Sequence, residues 1–217
     1  MNELLKRAIS GLFIIIWIFS TLLYSTQLFV FSMVMCLIII LFLEWPKLAP
    51  HYHYLFFIYP LISFLLIIYL QLFGYAALNM YAFAACFLFD SSAYVFGKLL
   101  GKHKVAPKIS PGKTIEGCLG GCLTLLVSYF MYLEFRTNTT LISLFGDAKN
   151  FLIPTIISFL AFCGDLFESY LKRKSDLKDI GSLLPGHGGL LDRFDSILFV
   201  IPFVFLLRHY LITIFHY

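Results

Sequence analysis

The residues best suited to chemistry are concentrated in one stretch, 165–195, which lies between two strongly apolar segments. This stretch contains six of the chain's twelve acidic residues, five of its sixteen basic residues and four glycines. Charged groups near a bilayer are costly unless they pair with each other, bind a metal or bind a charged ligand. The stretch therefore predicts a site for a polyanion and a metal ion.

Four carboxylates in this stretch form two pairs with helical spacing. Asp165 and Glu168 are three residues apart, and Asp192 and Asp195 repeat that spacing, so each pair lies on one helical face. Four facing carboxylates would repel one another unless a cation lay between them. Hard oxygen ligands that also engage phosphates suit Mg²⁺. The alternative is salt bridging to nearby basic residues, namely Lys172, Arg173 and Arg193.

Between the two pairs lies a loop, 184–190, with three glycines around His187. Glycines let backbone N–H groups approach a phosphate closely, and a following helix adds its positive dipole end. His187 would then donate to a phosphate or act as an acid–base group. The alternative is a tight turn with a structural histidine. Basic residues upstream suit a triphosphate or a phospholipid headgroup, or else only set membrane topology: Lys172, Arg173, Lys174 and Lys178.

A second candidate region surrounds Asp90, which ends a long apolar run. An acid at that depth in a membrane segment is functional by default. The following segment, 108–114, ends like a phosphate-binding P-loop, but Pro107 stands where that motif requires glycine. We therefore exclude a P-loop ATPase and predict a phosphate-contacting loop, capped by Thr114 and Glu116 at the start of the next helix.

The elements that must position these residues are membrane helices. The chain is 60% hydrophobic with a mean hydropathy of +0.89, and no charge occurs at 8–43 or 48–89. Each gap is long enough for two helical spans of a bilayer core about 30 Å thick. We predict an all-α polytopic integral membrane protein with about seven transmembrane helices, at about 9–24, 28–43, 55–72, 76–96, 114–135, 151–168 and from 192 to beyond 208.

Charge asymmetry predicts the orientation. With a cytoplasmic N-terminus, thirteen of the sixteen basic residues lie on the inner side, as the positive-inside rule favours. We expect N-terminal transmembrane helices at 1–75 and a catalytic transmembrane region at 76–217, with cytoplasmic loops at 98–113 and 169–192. The basic-then-apolar start is interpreted as a retained first helix.

Cysteines and small residues are expected to serve packing. All five cysteines lie in apolar segments and no CxxC occurs, so neither a disulfide framework nor a zinc site is predicted. Gly117 and Gly121 are four apart, which allows close helix approach either within one chain or in a homodimer.

The spaced residues between 169 and 195 form a specific pattern. Its members are Ser169, Leu171, Lys172, Arg173, Lys178, Asp179, Gly181, Leu184, Pro185, His187, Gly188, Gly189, Leu190, Asp192, Arg193, Phe194 and Asp195. Two upstream segments add to it: Asp90-Ser91-Ser92-Ala93-Tyr94 with Gly97, and Ser110-Pro111, Lys113-Thr114 and Glu116-Gly117. Across about 80–200, these residues resemble the phosphatidate cytidylyltransferases, or CDP-diacylglycerol synthases, many of which have eight or nine helices.

The resemblance implies that CTP and phosphatidate give CDP-diacylglycerol and pyrophosphate. It implies that Asp165 and Asp192 bind Mg²⁺, with Glu168 and Asp195 assisting. The positions assigned to phosphate binding and catalysis are Lys172, Arg173, Lys178, His187 and Arg193. Other substrate contacts are expected at Asp90, Ser110, Lys113, Thr114, Asp179, Gly188 and Gly189.

The expected partners are CTP, phosphatidate and the bilayer, without nucleic acid, and a homodimer is left open. The expected location is a bacterial inner membrane, with the site at the cytoplasmic face and open sideways to lipid. Alternative enzymes are one that activates another phospholipid, such as an archaeal ether lipid, and a CTP-dependent polyprenol kinase, which the full C-terminal pattern argues against. A transporter or channel would spread its acids through span centres, whereas these cluster at one membrane face.

Overall fold

A computed structural model describes residues 3–48, 57–137, 146–177, 180 and 189–215. Within these residues the helices are α1 (Glu3–Tyr24), α2 (Thr26–Ile39), α3 (Ile58–Leu72), α4 (Ala76–Leu100), α5 (Ile115–Thr137), α6 (Lys149–Lys174), α7 (Asp195–Leu206) and α8 (Arg208–Phe215). Strands β1 (Lys104–Ala106) and β2 (Ser110–Thr114) form an antiparallel hairpin between α4 and α5. A π-helical turn (Ile40–Glu44) and two 3₁₀ turns (Trp45–Lys47 and Leu191–Arg193) complete the described elements.

The predicted all-α polytopic class is confirmed, apart from the short hairpin. Four helical segments are long and apolar enough to cross a membrane: Thr26–Lys47, Ala76–Leu100, Ile115–Arg136 and Lys149–Lys174. Helices α7 and α8, bent by 94° at their junction, form a fifth if they count as one span. Gly11–Tyr24 and α3 are apolar but shorter. The helices therefore fall in all seven predicted stretches, and length and composition support four or five spans.

The surface of the bundle is apolar, as expected of a protein whose solvent is lipid. Large apolar side chains point outward along several helices, among them Phe13, Phe31, Leu119 and Met131. The core between the helices is also apolar and includes Phe29, Phe64, Ile157 and Phe194. Helices α2 and α3 reach this core together with α7, and the hydroxyl of Ser63 on α3 donates to the Leu198 carbonyl at 2.7 Å.

Helices α4 and α5 pack closely against each other, and glycines permit it. A Cβ atom on Gly117 would lie 2.6 Å from the Ala93 carbonyl oxygen, and one on Gly121 would lie 2.8 Å from the Phe89 ring. Only residues without a side chain fit at such distances. The Gly117/Gly121 spacing thus serves packing within this chain.

Two predicted boundaries are wrong by several residues. Helix α6 continues to Lys174 rather than ending near residue 168, and α4 continues to Leu100. Basic side chains are favourable in the last turn of a helix because they face its negative dipole end. Lys172 and Arg173 therefore lie on a helix, and the loop predicted at 169–192 begins later.

Candidate active site

One lysine joins two buried acids from different elements. Lys172 Nζ lies 2.7 Å from Oδ1 of Asp192 and 3.1 Å from Oε1 of Glu168. The side chains of Glu168 and Asp192 are only 1% and 6% exposed. Glu168 and Lys172 are four residues apart on α6, so the helix itself brings them together. We call Glu168, Lys172 and Asp192 the lysine-bridged cluster.

Asp192 is held from both sides. Its Oδ1 accepts from Lys172 and its Oδ2 accepts from the backbone N–H of Gly189 at 2.7 Å. Burial acts to raise the pKa of Asp192, but the Glu168 carboxyl, the Lys172 ammonium and the Gly189 amide outweigh burial and leave the pKa below its ordinary value. Asp192 is therefore an ionised, fixed carboxylate at neutral pH.

Three other aspartates lie beside this cluster, and two of them, Asp90 and Asp165, form the open side of the site. Asp90 on α4 is exposed although it lies deep in the sequence of a membrane helix, and the side chain of Asp165 on α6 is 35% exposed. The carboxylates of Asp90, Asp165 and Asp195 are within electrostatic range of one another. We call them the three-aspartate group. Asp195 also lies within range of Glu168, so the group adjoins the lysine-bridged cluster.

The cations near the three-aspartate group come from other elements. Lys113 Nζ on β2 lies 2.9 Å from Oδ2 of Asp165 and 5.1 Å from the ring centre of Phe162. Lys113 and Arg193 are both within electrostatic range of Asp90. Residues far apart in the sequence thus bring three acids and two cations close together.

The hairpin is fixed so that it can present Lys113. The hydroxyl of Thr114, buried at the end of β2, accepts from the Gly117 N–H at 3.1 Å and so caps α5. Glu116 accepts from the backbone N–H groups of Lys102 and His103 and contacts His103 Nδ1 at 2.6 Å. The predicted cap by Thr114 is confirmed, and Glu116 instead ties the start of the hairpin to α5.

Arg173 secures the other end of the hairpin. Its Nε donates to the Ile109 carbonyl at 3.1 Å, and Nη1 donates to the Leu177 carbonyl at 3.4 Å. Arg173 is exposed at the end of α6 and lies beside the turn before Ser110. These contacts join β2 to α6, the two elements that carry Lys113 and Asp165.

Four predicted site residues lie outside the described residues: Lys178, Asp179, His187 and Gly188. The others lie around the two acidic groups or on the elements that carry them. The four carboxylates predicted to face one another do not form one cluster. Lys172 bridges Glu168 and Asp192, as the salt-bridge alternative anticipated, whereas Asp165 pairs with Lys113. Arg173, by contrast, binds backbone carbonyls in the contacts above.

The donor set fits Mg²⁺ without a protein cage. In the part of the chain that the structure describes, no group of three or more His, Cys, Asp or Glu side chains is arranged to hold a metal ion. Mg²⁺ commonly uses one or two carboxylates, several waters and substrate phosphates instead. The side chain of Asp165 is 35% exposed and so is accessible to such an ion, whereas Glu168 and Asp192 are buried and paired with Lys172. The residues present therefore match the chemistry of a magnesium–phosphate site.

Glu44 was not identified as a site residue from the sequence. Its side chain is fully buried and accepts from the backbone N–H groups of Leu190 and Leu191 at 2.6 and 2.7 Å. Glu44 is the first charge after an uncharged run of 36 residues, 8–43. The rule that acids at the end of apolar spans are functional could have identified it.

This chain is similar in sequence to known proteins. Residues 51–211 match the sequence model of the cytidylyltransferase family. The phosphatidate cytidylyltransferase of Staphylococcus haemolyticus (strain JCSC1435) is 47% identical over 126 residues, which cover 57% of this chain and 45% of that protein. The one from Haemophilus influenzae (strain ATCC 51907 / DSM 11121 / KW20 / Rd) is 44% identical over 129 residues, 58% of this chain and 43% of that protein.

A third relative, from Staphylococcus aureus (strain COL), is 45% identical over 126 residues, with coverage of 57% and 45%. The chain thus matches slightly less than half the length of these curated relatives. The family match covers Asp90, the hairpin, α6 and the segment of Asp192. On that match, this chain belongs to the cytidylyltransferase family.

Proposed function

We propose that this chain transfers the cytidylyl group of CTP to phosphatidate, which yields CDP-diacylglycerol and pyrophosphate. Its family membership and its similarity to phosphatidate cytidylyltransferases from other organisms support this activity. The structural observation that carries the proposal is the convergence of Lys113 on Asp165 and of Lys172 on Asp192 at one end of an apolar helix bundle. A reaction between two anionic phosphates needs both basic groups that bind the phosphates and acidic groups that bind a metal ion.

The chemistry requires charge neutralisation more than a strong base. A phosphatidate phosphate oxygen attacks the α-phosphorus of CTP, a new P–O bond forms, and the bond to the β-phosphate oxygen breaks to release pyrophosphate. The nucleophile is already an anion, so holding the two phosphates in line and stabilising the leaving group provide the acceleration. Lys113 and Arg193 are suited to bind phosphate oxygens on the open side.

The lysine-bridged cluster provides side chains in fixed positions for this reaction. Lys172 can contact a phosphate oxygen while Asp192 and Glu168 keep its ammonium in place. We assign Mg²⁺ to Asp165 and Asp192, with Glu168 and Asp195 assisting. When bound, Mg²⁺ neutralises the charge of the triphosphate and of the departing pyrophosphate.

The same proposal includes the membrane arrangement. Seven spans, a cytoplasmic N-terminus and a site at the cytoplasmic face of a bacterial inner membrane are consistent with the seven apolar helical stretches and with the distribution of basic residues. Phosphatidate would enter sideways from the bilayer. Cysteine-accessibility labelling of inverted and right-side-out vesicles, at Lys104→Cys and Asp147→Cys, tests the orientation; labelling of both positions from one side would contradict it.

The activity is tested by release of labelled pyrophosphate from CTP by purified protein in detergent. Reactions with and without phosphatidate and with and without Mg²⁺ are compared, together with Asp192→Asn. Glu134→Gln is the matched control, because Glu134 is an exposed acid near the end of α5 that is far from the hairpin. We expect release that needs phosphatidate and Mg²⁺, is lost in Asp192→Asn and is kept in Glu134→Gln.

Two outcomes would contradict the proposal. Folded protein that binds Mg²⁺ but releases no pyrophosphate with phosphatidate or any other phospholipid acceptor would favour an ion pathway through the buried acids. Release with a polyprenol or an ether lipid, but not with phosphatidate, would assign the chain a different acceptor.

A further inference from the structure

Glu44 is a buried acid that the chemistry above does not use. It ends the π-helical turn that follows α2, and its side chain has no exposed surface. It also lies outside residues 51–211, the part of the chain that matches the family. A fully buried carboxylate requires donors that compensate its lost hydration.

Two consecutive backbone amides supply that compensation. The N–H of Leu190 donates to Oε1 at 2.6 Å and the N–H of Leu191 donates to Oε2 at 2.7 Å. These amides stand at the start of the 3₁₀ turn Leu191–Arg193, where helical N–H groups lack intrahelical partners. One side chain on the α2 segment therefore fixes two successive peptide units almost 150 residues later in the sequence.

The contact also explains why residue 189 is glycine. A Cβ atom there would lie 2.9 to 3.0 Å from the carboxylate of Glu44. A methyl group would therefore push the carboxylate away from the amides of Leu190 and Leu191. Close backbone approach to Glu44 requires glycine at this position.

The segment that Glu44 holds is the one that orients Asp192. The Gly189 N–H donates to Oδ2 of Asp192, whose Oδ1 contacts Lys172. Movement of the Gly189–Leu191 backbone would therefore change both the direction of the Asp192 carboxylate and its distance from the lysine. Backbone contacts therefore join Glu44 to Asp192, and the two carboxylates also lie within electrostatic range of each other.

The π-helical turn gives Glu44 its direction. Within Ile40–Glu44 the helix is wider than an α-helix, and the Trp45 N–H donates to the Ile40 carbonyl, five residues back. Such a turn rotates the residues after it relative to a regular α-helix and is often found at functional sites. Pro46 then ends the helix within a 3₁₀ turn.

We propose that Glu44 is a positioning residue for the transfer reaction: it clamps the Gly189–Leu191 backbone and thereby holds Asp192 and Lys172 in their working arrangement. This inference rests on the proposed cytidylyl transfer, and it assigns a role in that reaction to the N-terminal helices. Loss of the clamp leaves the substrates' own contacts in place but misdirects the Asp192 carboxylate.

The test compares Glu44→Gln with wild type and with Glu134→Gln. In Glu44→Gln, an NH₂ group replaces one carboxylate oxygen. This NH₂ group would face the backbone N–H of Leu190 or Leu191, and two donors cannot form a hydrogen bond with each other. We expect kcat to fall about 10- to 100-fold and the Mg²⁺ concentration for half-maximal pyrophosphate release to rise. A merely unstable variant would lose active protein without moving that midpoint.

Hydrogen exchange followed by mass spectrometry gives a readout that does not depend on activity. In wild type, the amides of Leu190 and Leu191 should exchange as slowly as those of α7. In Glu44→Gln we expect them to exchange about tenfold faster or more, with α4 and α5 unchanged. Should Glu44→Gln fail to fold, Glu44→Asp retains the charge on a shorter side chain and should show the same changes in smaller measure.

The outcomes separate the two proposals. Fast exchange of these amides in wild type, or an active Glu44→Gln with the Mg²⁺ midpoint of Glu134→Gln, would overturn the positioning role. Wild-type protein that protects the amides but releases no pyrophosphate would instead overturn the proposed reaction.

Discussion

The two acidic groups of the site differ in exposure and in how their charge is balanced. In the lysine-bridged cluster, Glu168 and Asp192 are almost fully buried and share one lysine at 2.7 to 3.1 Å. In the three-aspartate group, Asp90 is exposed and Asp165 is about one-third exposed. The acids of the lysine-bridged cluster are sealed inside the protein, whereas two of the three aspartates in the other group reach the surface.

The difference follows from the cost of burying charge. A buried carboxylate without a partner costs several kcal/mol, on the order of the whole stability of a small protein. The sealed acids therefore have fixed donors, whereas the open acids retain an excess of negative charge that water can partly screen. The protein itself fixes the direction of the sealed charges, whereas the open charges are also accessible to solvent.

The strongest way to test this distinction is to remove the shared cation. Lys172→Met would leave two buried acids facing each other, and we expect a loss of about 3–5 kcal/mol in unfolding free energy together with the activity. Lys149→Met, at the opposite end of the same helix, is the control. Thermal unfolding in detergent measures the effect. Equal melting temperatures for the two variants would contradict the view that Lys172 stabilises the two buried acids.

A change on the open side should separate activity from stability. In Asp165→Asn we expect pyrophosphate release to fall on the order of 100-fold, because an exposed ligand for a cation is lost. The unfolding free energy should fall less than in Lys172→Met, since the Asp165 side chain is 35% exposed whereas Glu168 and Asp192 are 1% and 6% exposed. An Asp165→Asn protein that is as active as Glu134→Gln would show that the open acids do not serve the reaction.

A small side chain added at residue 189 tests whether the backbone beside Glu44 must stay in place. Gly189→Ala places a methyl group against the Glu44 carboxylate, and we expect a fall in kcat of about tenfold with faster exchange at Leu190 and Leu191. Gly112→Ala is the matched control, because nothing lies within 4 Å of a Cβ at that position. Similar kinetics in the two alanine variants would mean that the backbone near Glu44 tolerates displacement.

The smallest expected effect is on acid stability. The pKa of Asp192 is below its ordinary value of 3.8 in the folded protein, so its ionised form stabilises the fold above that value. This contribution is lost as the pH falls through the lowered pKa. In metal-free buffer, wild type should lose stability below about pH 4 more steeply than Asp192→Asn, as followed by melting temperature from pH 3 to 7. If the melting temperatures of the two proteins fell in parallel with pH, the lowered pKa of Asp192 would be contradicted.

Much of the fold could be predicted from the sequence because lipid imposes a simple rule. Long apolar runs must be helical, since backbone groups in hydrocarbon can be satisfied only internally. Helices therefore lie in each of the seven predicted stretches, although length and composition support only four or five spans. The end of α6 was misjudged because Lys172 and Arg173 look like loop residues, although a helix end favours them.

The membership of the site was also largely predictable, but its pairing was not. Asp165, Glu168, Asp192 and Asp195 were identified from their spacing, yet spacing says nothing about which acid is sealed. Lys113 and Asp165 are 52 positions apart in sequence, and no local pattern couples them. Glu44 was overlooked because its partners are backbone N–H groups, which every residue except proline carries.

The sequence by itself determined that this is an apolar helical chain with its charges gathered in a cytidylyltransferase pattern. Those properties follow from the period of the helix, the polarity of each side chain and the spacing of motif residues. Only the tertiary structure decided that Lys172 is shared by two buried acids, that Asp90 opens to the site and that Glu44 holds the backbone beside Asp192. Such contacts depend on which surfaces meet after the helices pack, because hydrogen bonds and ion pairs act over a few ångströms in space, whatever the distance along the chain.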